Sequence, residues 1–408
     1  MRQSQITEMV KILFVATLPD ILIGMSEDDQ SAMIPPIVRD GVVNLSAEEV
    51  ADTVAVEASE DIDSAAEEVE KDSNPEPQSA GFTRRRKILL SVGVALIVLP
   101  LAAYLGVGWK IYTTLAYADP GYGDQEGNLP DGFNVTWDEY SDFDTSPYEV
   151  NYYENVTIAS RTAGIDLGSW WIPVDELEEG PAPTVMLVHG LRSSKADYHV
   201  LMVAGMLNEH GFNVLLIDLR DHGQSTVEDG RVSIGTKEYI DVMSGVDWLI
   251  DEQGIPEELI GLWGNSMGAG TAAITFGQDE RIQALVLDSG YLDLADIVRE
   301  ELVREGYPGW LGPATVWAAF IFGGEALLDP SPHSAFENAG GRPIFITHGA
   351  EDDRVAVHHF EDMLELSMDL DVNTTSWLVA ETGHTEAIIT HHEEYEQRIT
   401  DFFNSTLT

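Results

Sequence analysis

Gly264-Asn265-Ser266-Met267-Gly268 stands directly after an apolar run, Leu259 to Trp263, and directly before a run of small residues, Ala269 to Phe276. A strand that turns sharply into a helix needs small residues two positions either side of the turn. It lifts the central serine hydroxyl above the sheet edge, where the helix N-terminus offers backbone N–H groups to an anion. Such a hydroxyl is a poor nucleophile until a base takes its proton, and the base needs an acid to orient it. In this kind of turn the partners follow in the order acid, then histidine, each just after a late strand. Asp352 follows the run Pro343 to Thr347, and His384 follows Thr375 to Val379, with Gly383 before it to help the imidazole reach back. The chemistry these types support is acyl transfer, with Ser266 as nucleophile, His384 as base and Asp352 as its orienting acid. A developing oxyanion needs donors. Two backbone N–H groups are placed for that, Met267 after the nucleophile and Leu191 in the His189-Gly190-Leu191 turn.

Other residues compete for these roles. His189, His222 and His348 also lie in strand-end loops, in turns that a sheet of this kind uses structurally, and Asp288 after Ala284 to Leu287 is a second position for the acid. Glu351 and Asp353 flank Asp352 and are expected to be solvated or paired with Arg354. The pairs His358-His359 and His391-His392 lack the spacing of metal-ligating motifs, so they read as surface residues and no metal is expected. No phosphate-cradling glycine motif follows a strand, so no cofactor is expected either.

The elements that must position these residues begin near residue 150. Asn155 to Ala159 and Ile165 to Ile172 read as an antiparallel pair turning at Thr162 to Gly164; buried-strand runs follow at Thr184 to Val188 and Val214 to Asp218, then at Leu259 to Trp263 and the three late runs. Between them Tyr239, Val242, Met243, Val246, Leu249 and Ile250 keep a helical period. Strands alternating with helices predict an α/β fold, with a mostly parallel sheet covered by helices on both faces.

Taken together, the turn His189-Gly190, the run Asp218 to Ser225, the elbow Gly264 to Gly268, the block His348-Gly349-x-x-Asp352-x-x-Val355 and the pair Gly383-His384 resemble the α/β-hydrolase superfamily over roughly residues 150 to 408. Within it the chain looks like the branch of N-terminally anchored serine hydrolases described as esterases, lysophospholipases or serine aminopeptidases. The resemblance implies Ser266, Asp352 and His384 as the catalytic residues and Leu191 and Met267 as the oxyanion hole. Ala356 departs from the family, which often has Pro there. The stretch from 291 to 342 stands where such enzymes carry a small helical lid. Its Trp310, Trp317, Phe320 and Phe322 are candidates for an apolar wall over an acyl pocket, or else for a layer packed on the core.

Ahead of that domain, Ile88 to Trp109 contains no charged side chain and matches the roughly 20 apolar residues that a membrane-spanning helix needs. Arg84 to Lys87 precede it and acidic residues dominate after it, so the N-terminus is expected in the cytoplasm and the catalytic domain outside, on a single-pass anchor in the cell membrane. The expected organisation is a disordered acidic tail over 1–83, a basic flank and transmembrane helix over 84–110, an acidic stalk over 111–150 and the hydrolase domain over 151–408. Ala116-Tyr117-Ala118 resembles a signal-peptidase site, but the long, late apolar run favours an uncleaved anchor.

The chain has 408 residues, with 21 Lys+Arg against 71 Asp+Glu and a net charge of −50, which repels nucleic-acid phosphates and excludes that class of partner. The absence of cysteine excludes disulfides, thiolate metal sites and a cysteine nucleophile. Such a surface fits solubility outside the cell or surroundings rich in salt. The expected activity is hydrolysis of a small-molecule or lipid-like carboxylic ester. Thioester or peptide hydrolysis is the alternative on the same fold, and a catalytically silent binding or adhesion domain the rival from another class.

Overall fold

The computed structural model describes residues 84–174 and 181–407, and the acidic tail expected over 1–83 lies outside them. Among the described residues, eight strands form one sheet: β1 (Glu154–Ala159), β2 (Asp166–Ile172), β3 (Thr184–Val188), β4 (Asn213–Ile217), β5 (Ile260–Asn265), β6 (Ala284–Asp288), β7 (Ile344–Gly349) and β8 (Thr374–Val379). The order is β1-β2-β4-β3-β5-β6-β7-β8. β1 and β2 are an antiparallel pair, β2 meets β4 antiparallel, and every pairing from β4 through β8 is parallel.

The helices are α1 (Arg84–Leu115), α2 (Tyr198–Glu209), α3 (Tyr239–Asp251), α4 (Met267–Gln278), α5 (Leu294–Arg304), α6 (Gly312–Ala318), α7 (His333–Glu337), α8 (His358–Asp369), α9 (Ala387–Thr390) and α10 (His392–Thr406). Successive strand residues point to opposite faces, so a sheet covered on both sides must be apolar at consecutive positions. Met186 and Val188 of β3 accordingly join the core under α3, α4 and α8, while Val185 and Leu187 join the core under α2 and α10. The α/β-hydrolase architecture with a mostly parallel sheet is the one the sequence predicts.

The chain over 291–342 is helical, as expected for an insertion, and carries α5, α6 and α7. Asp293 caps α5 by accepting the N–H groups of Ala295 and Asp296 at 2.7 and 2.9 Å. Two expectations N-terminal to the sheet change. The apolar helix does not stop at Trp109 but continues to Leu115. Residues 111–150 are not a free stalk either, because Phe133, Val135, Tyr148 and Val150 are buried in the core beneath α2, and Gln125 donates to the Asp197 carboxylate at 2.9 Å. The aromatic residues of that segment give it apolar surface to bury, which a solvated spacer would lack.

α1 meets the insertion backbone to backbone. A Cβ on Gly108 would lie 2.2 Å from the carbonyl oxygen of Ala314 in α6, so only glycine permits the crossing. Beyond the helix, Arg192 in the loop after β3 donates to the carbonyls of Leu115 and Tyr117, both at 3.1 Å. Val232 N–H donates to Ala116 O at 2.7 Å and Ala118 N–H to Gly230 O at 3.0 Å.

Candidate active site

Ser266 sits between β5 and α4 with φ 52° and ψ −122°, a backbone region that a residue bearing a side chain occupies only under constraint. The two flanking glycines make the turn possible. A Cβ on Gly264 would fall 2.3 Å from Gly268 O, and one on Gly268 would fall 2.2 Å from Val188 O. The backbone is held from the other side by Ser266 N–H donating to Asp288 O at 2.8 Å.

The structure brings the three residues singled out for acyl transfer into one hydrogen-bonded chain. The Ser266 hydroxyl lies 2.9 Å from His384 Nε2, and His384 Nδ1 lies 2.7 Å from Asp352 Oδ2. With the proton on Nδ1 facing the carboxylate, Nε2 is free to accept from the hydroxyl. The other oxygen of Asp352 accepts the backbone N–H groups of Arg354 and Val355 at 2.9 and 2.8 Å, which fixes the carboxylate plane. Burial would raise the Asp352 pKa, but the hydrogen bond and charge of His384, with His348 and the Val355 N–H, outweigh it and hold the carboxyl below its ordinary range.

The competitors are occupied elsewhere. Asp288 accepts from Tyr395 Oη at 2.7 Å and from Ser289 Oγ at 2.9 Å, and burial raises its pKa. His189 donates through Nδ1 to Gly190 O at 2.8 Å and accepts Leu219 N–H at Nε2, and burial, with His222 beside it, pushes its pKa down to about 3. His222 is bonded to Arg220 O at 2.8 Å and His348 to Val355 O at 2.9 Å. Each therefore braces a loop. Of the pair read as surface residues, His359 is fully buried, because its ring turns under α5 and reaches Glu300 at 3.3 Å. His358 lies 3.4 Å from the same carboxylate. With the Leu292 N–H directed at Nδ1 of His359, the proton of that ring belongs on Nε2, where the imidazole, its pKa lowered by burial, donates to Glu300.

A cavity opens against Ser266, and Leu191 and Met267 both line it. Met267 is the first residue of α4, so its N–H has no partner within the helix. The remaining wall is apolar, from Ile234, Tyr291, Val298 and Leu302 among others, with Glu301 and Arg354 as its charged members. None of Trp310, Trp317, Phe320 and Phe322 lines it. Leu311, Ala314, Thr315 and Ala318 make the buried face of that segment, which turns Trp310, Phe320 and Phe322 outward, exposed by 67%, 45% and 55%. On the far side of His384 a polar groove runs past Trp137, Arg304, Asp353, Arg354 and Glu381.

Three features of the site are not readable from the sequence. Tyr112, Leu115 and Ala116, from the end of the apolar helix, form part of the cavity wall. Lys195, fully buried, is paired with Asp218 beneath the loops after β3 and β4, and Asp218 also accepts the N–H groups of Lys195 and Gln224. Behind His384, Thr385 N–H donates to Ser289 Oγ at 3.1 Å, and the Thr385 hydroxyl lies 3.2 Å from His199, itself bonded to Asp197. Each joins residues far apart in the chain, and the signal present was that of Asp218 and Gln224, within the run that resembles the hydrolases.

Comparison with known proteins bears on the family and the fold. Residues 198–408 match the prolyl oligopeptidase family. An uncharacterised 31.7 kDa protein of the traX-finO intergenic region of Escherichia coli is 30% identical over 122 residues, which are 29% of this chain and 41% of that protein. The chain thus spans less than half the length of that relative. The human protein ABHD12B is 24% identical over 243 residues, 54% of this chain and 62% of its own. Among solved structures, an esterase of Pyrococcus furiosus superposes with a TM-score of 0.52 and 24% identity, covering 65% of this chain and 95% of that one.

Proposed function

Since the chain belongs to the prolyl oligopeptidase family, within the α/β-hydrolase superfamily, and is thus a serine hydrolase by fold, we propose that it cleaves carboxylic esters through Ser266, His384 and Asp352. The observation that carries the reading is the hydrogen-bonded chain Ser266–His384–Asp352 at the mouth of an apolar cavity. His384 Nε2 takes the hydroxyl proton as Ser266 Oγ bonds to the ester carbonyl carbon, and the carbonyl oxygen becomes an oxyanion facing the N–H groups of Leu191 and Met267. Asp352, anionic and fixed, stabilises the imidazolium. Collapse breaks the bond to the alcohol oxygen, which leaves with the proton from His384 and exits by the polar groove. Water, deprotonated by His384, then attacks the acyl-enzyme and restores Ser266.

The cavity favours an ester over a peptide. Its wall is apolar apart from Ser266, Thr315, Glu301 and Arg354, and Glu301 is held by Arg304 at 2.6 Å, which suits an acyl chain. Thioesters remain the nearest alternative, since their acyl half is the same. Hydrolysis of a p-nitrophenyl series from acetate to palmitate by the full chain tests the reading. Ser266→Ala should lower kcat by at least about a thousandfold. Equal rates in the variant would remove Ser266 from the mechanism, and no hydrolysis of any ester by folded protein would favour peptides or a binding role.

We further propose that α1 anchors the chain in the cell membrane, with Arg84 to Lys87 on the cytoplasmic side and residues 151–408 as an extracytoplasmic hydrolase domain. Protease added to intact cells should then degrade the domain, and full protection would reverse the orientation.

A further inference from the structure

We infer that the membrane helix is part of the substrate site. Its last two turns set the depth of the acyl pocket, and the insertion beds in the adjoining leaflet, so that the ester is taken from the lipid phase. The inference rests on the serine-hydrolase and anchor readings above.

The length of α1 carries the first step. At 1.5 Å per residue its 32 residues extend about 48 Å, whereas a bilayer core takes up about 30 Å, or roughly 20 residues. Residues 88–107 are twenty in number, and none whose burial is described is buried, while Gly108, Ile111, Tyr112 and Ala116 are. The spanning part therefore ends at Val107, and the remainder belongs to the catalytic domain. Tyr112 and Leu115 of that remainder, with Ala116 just past it, line the cavity with Ser266.

The depth of the insertion follows from its contacts with the spanning part. Tyr104 lies about one turn inside the membrane boundary, and Trp310 stacks on it with ring centroids 5.9 Å apart and planes 7° apart. Tyr104 Oη also donates to Trp310 O at 3.0 Å. Trp310 is thus held at the depth of Tyr104, and Phe322 sits edge-on to Trp109 at 5.8 Å, one turn above. Both are more than half exposed, as is expected of aromatic rings that meet the interface between lipid and water. The face is continuous with a helix that crosses the bilayer, which makes lipid its occupant. An acyl chain leaving the bilayer along α1 then meets Leu115, Tyr112 and the insertion's Val298 and Leu302 on its way to Ser266. Its polar portion stays in the groove beside Arg354 and His384.

The test uses the full chain reconstituted in phosphatidylcholine vesicles. Leu115→Trp should shift the ratio of kcat/KM for p-nitrophenyl palmitate over acetate towards acetate by about tenfold, and Leu115→Ala should shift it the other way. Ratios unchanged in both variants would overturn the pocket assignment. Bedding is read without catalysis, from quenching of tryptophan fluorescence by phosphatidylcholine brominated on its acyl chains. Trp310→Phe should remove part of the quenched signal, and an identical quenched fraction would overturn the membrane contact. If the wild-type chain hydrolyses no ester, soluble or vesicle-borne, the ester reading fails and takes the acyl-pocket assignment with it. The quenching result still decides the bedding by itself.

Discussion

Gly268 illustrates how little room there is around the nucleophile. Ser266 is held in a conformation that costs of order 1–3 kcal/mol, and the close approach of α4 to β3 is what holds it. Gly268→Ala would drive a methyl into Val188 O, so it should lower stability by about 1–3 kcal/mol or more in urea denaturation and reduce labelling of Ser266 by a fluorophosphonate. Undiminished labelling would mean that the elbow does not need that approach. The two carboxylates near His384 separate in the same way. Asp352→Asn keeps the shape but loses the charge that faces the imidazolium, and kcat should fall about 10³–10⁴-fold. Asp288→Asn should cost less than about tenfold, because that group bonds to Tyr395 and Ser289 instead. Their pH signs are opposite. The depressed Asp352 contributes stability above the ordinary carboxyl pKa and loses it as pH falls through its own. The raised Asp288 loses stability as pH climbs from the ordinary carboxyl pKa through its own, so Asp288→Asn should gain on the wild type as pH rises above about 4. A stability difference flat with pH would contradict this assignment.

Among the elements, those that repeat a local pattern were legible and those made by distant pairing were not. β3 to β8 announce themselves as apolar runs next to turn residues, and the observed strands agree with those runs to within one or two residues. The elbow was legible for the same reason, since its glycines and its serine are neighbours in sequence. The far end of α1 was not, because hydropathy reports the uninterrupted apolar stretch and is silent on turns that pack against protein. The aromatic residues of the insertion were misplaced for a related reason. A cluster such as Trp317-Ala-Ala-Phe320 looks like core, and only the burial of Leu311, Ala314 and Ala318 on the other side of the segment reveals which face is inward. The Gly108 crossing gives the packing of α1 on α6 a direct test. Gly108→Leu should push the two helices apart, cost about 1–3 kcal/mol of stability, seen as a lower thermal midpoint of the reconstituted protein, and weaken hydrolysis of long esters more than that of short ones. A midpoint equal to that of the wild type would show that the crossing carries no load.

Over the whole molecule, a net charge of −50 makes the surface repel itself. The Debye length falls from about 30 Å at 0.01 M salt to about 3 Å at 1 M, so the melting temperature should rise between those concentrations. A fall or no change would place the carboxylates in local pairs instead of a common field. On the proposed anchor, the same repulsion would keep the domain from settling on anionic lipid by charge, and the exposed ring of Trp310 would be the means of approach. One pairing also sets a clock on the chain. Ala116-Tyr117-Ala118 has the small-x-small pattern that a signal peptidase reads, yet Ala116 and Ala118 are buried and their backbone is already bonded to Val232 and Gly230. A peptidase needs that stretch extended and unpaired, so it can act only before the loop from Gly230 to Val232 has closed over it. On the proposed anchor, release from the membrane would therefore be a race between cleavage and folding during biogenesis, and a chain that folds first would keep its anchor for life.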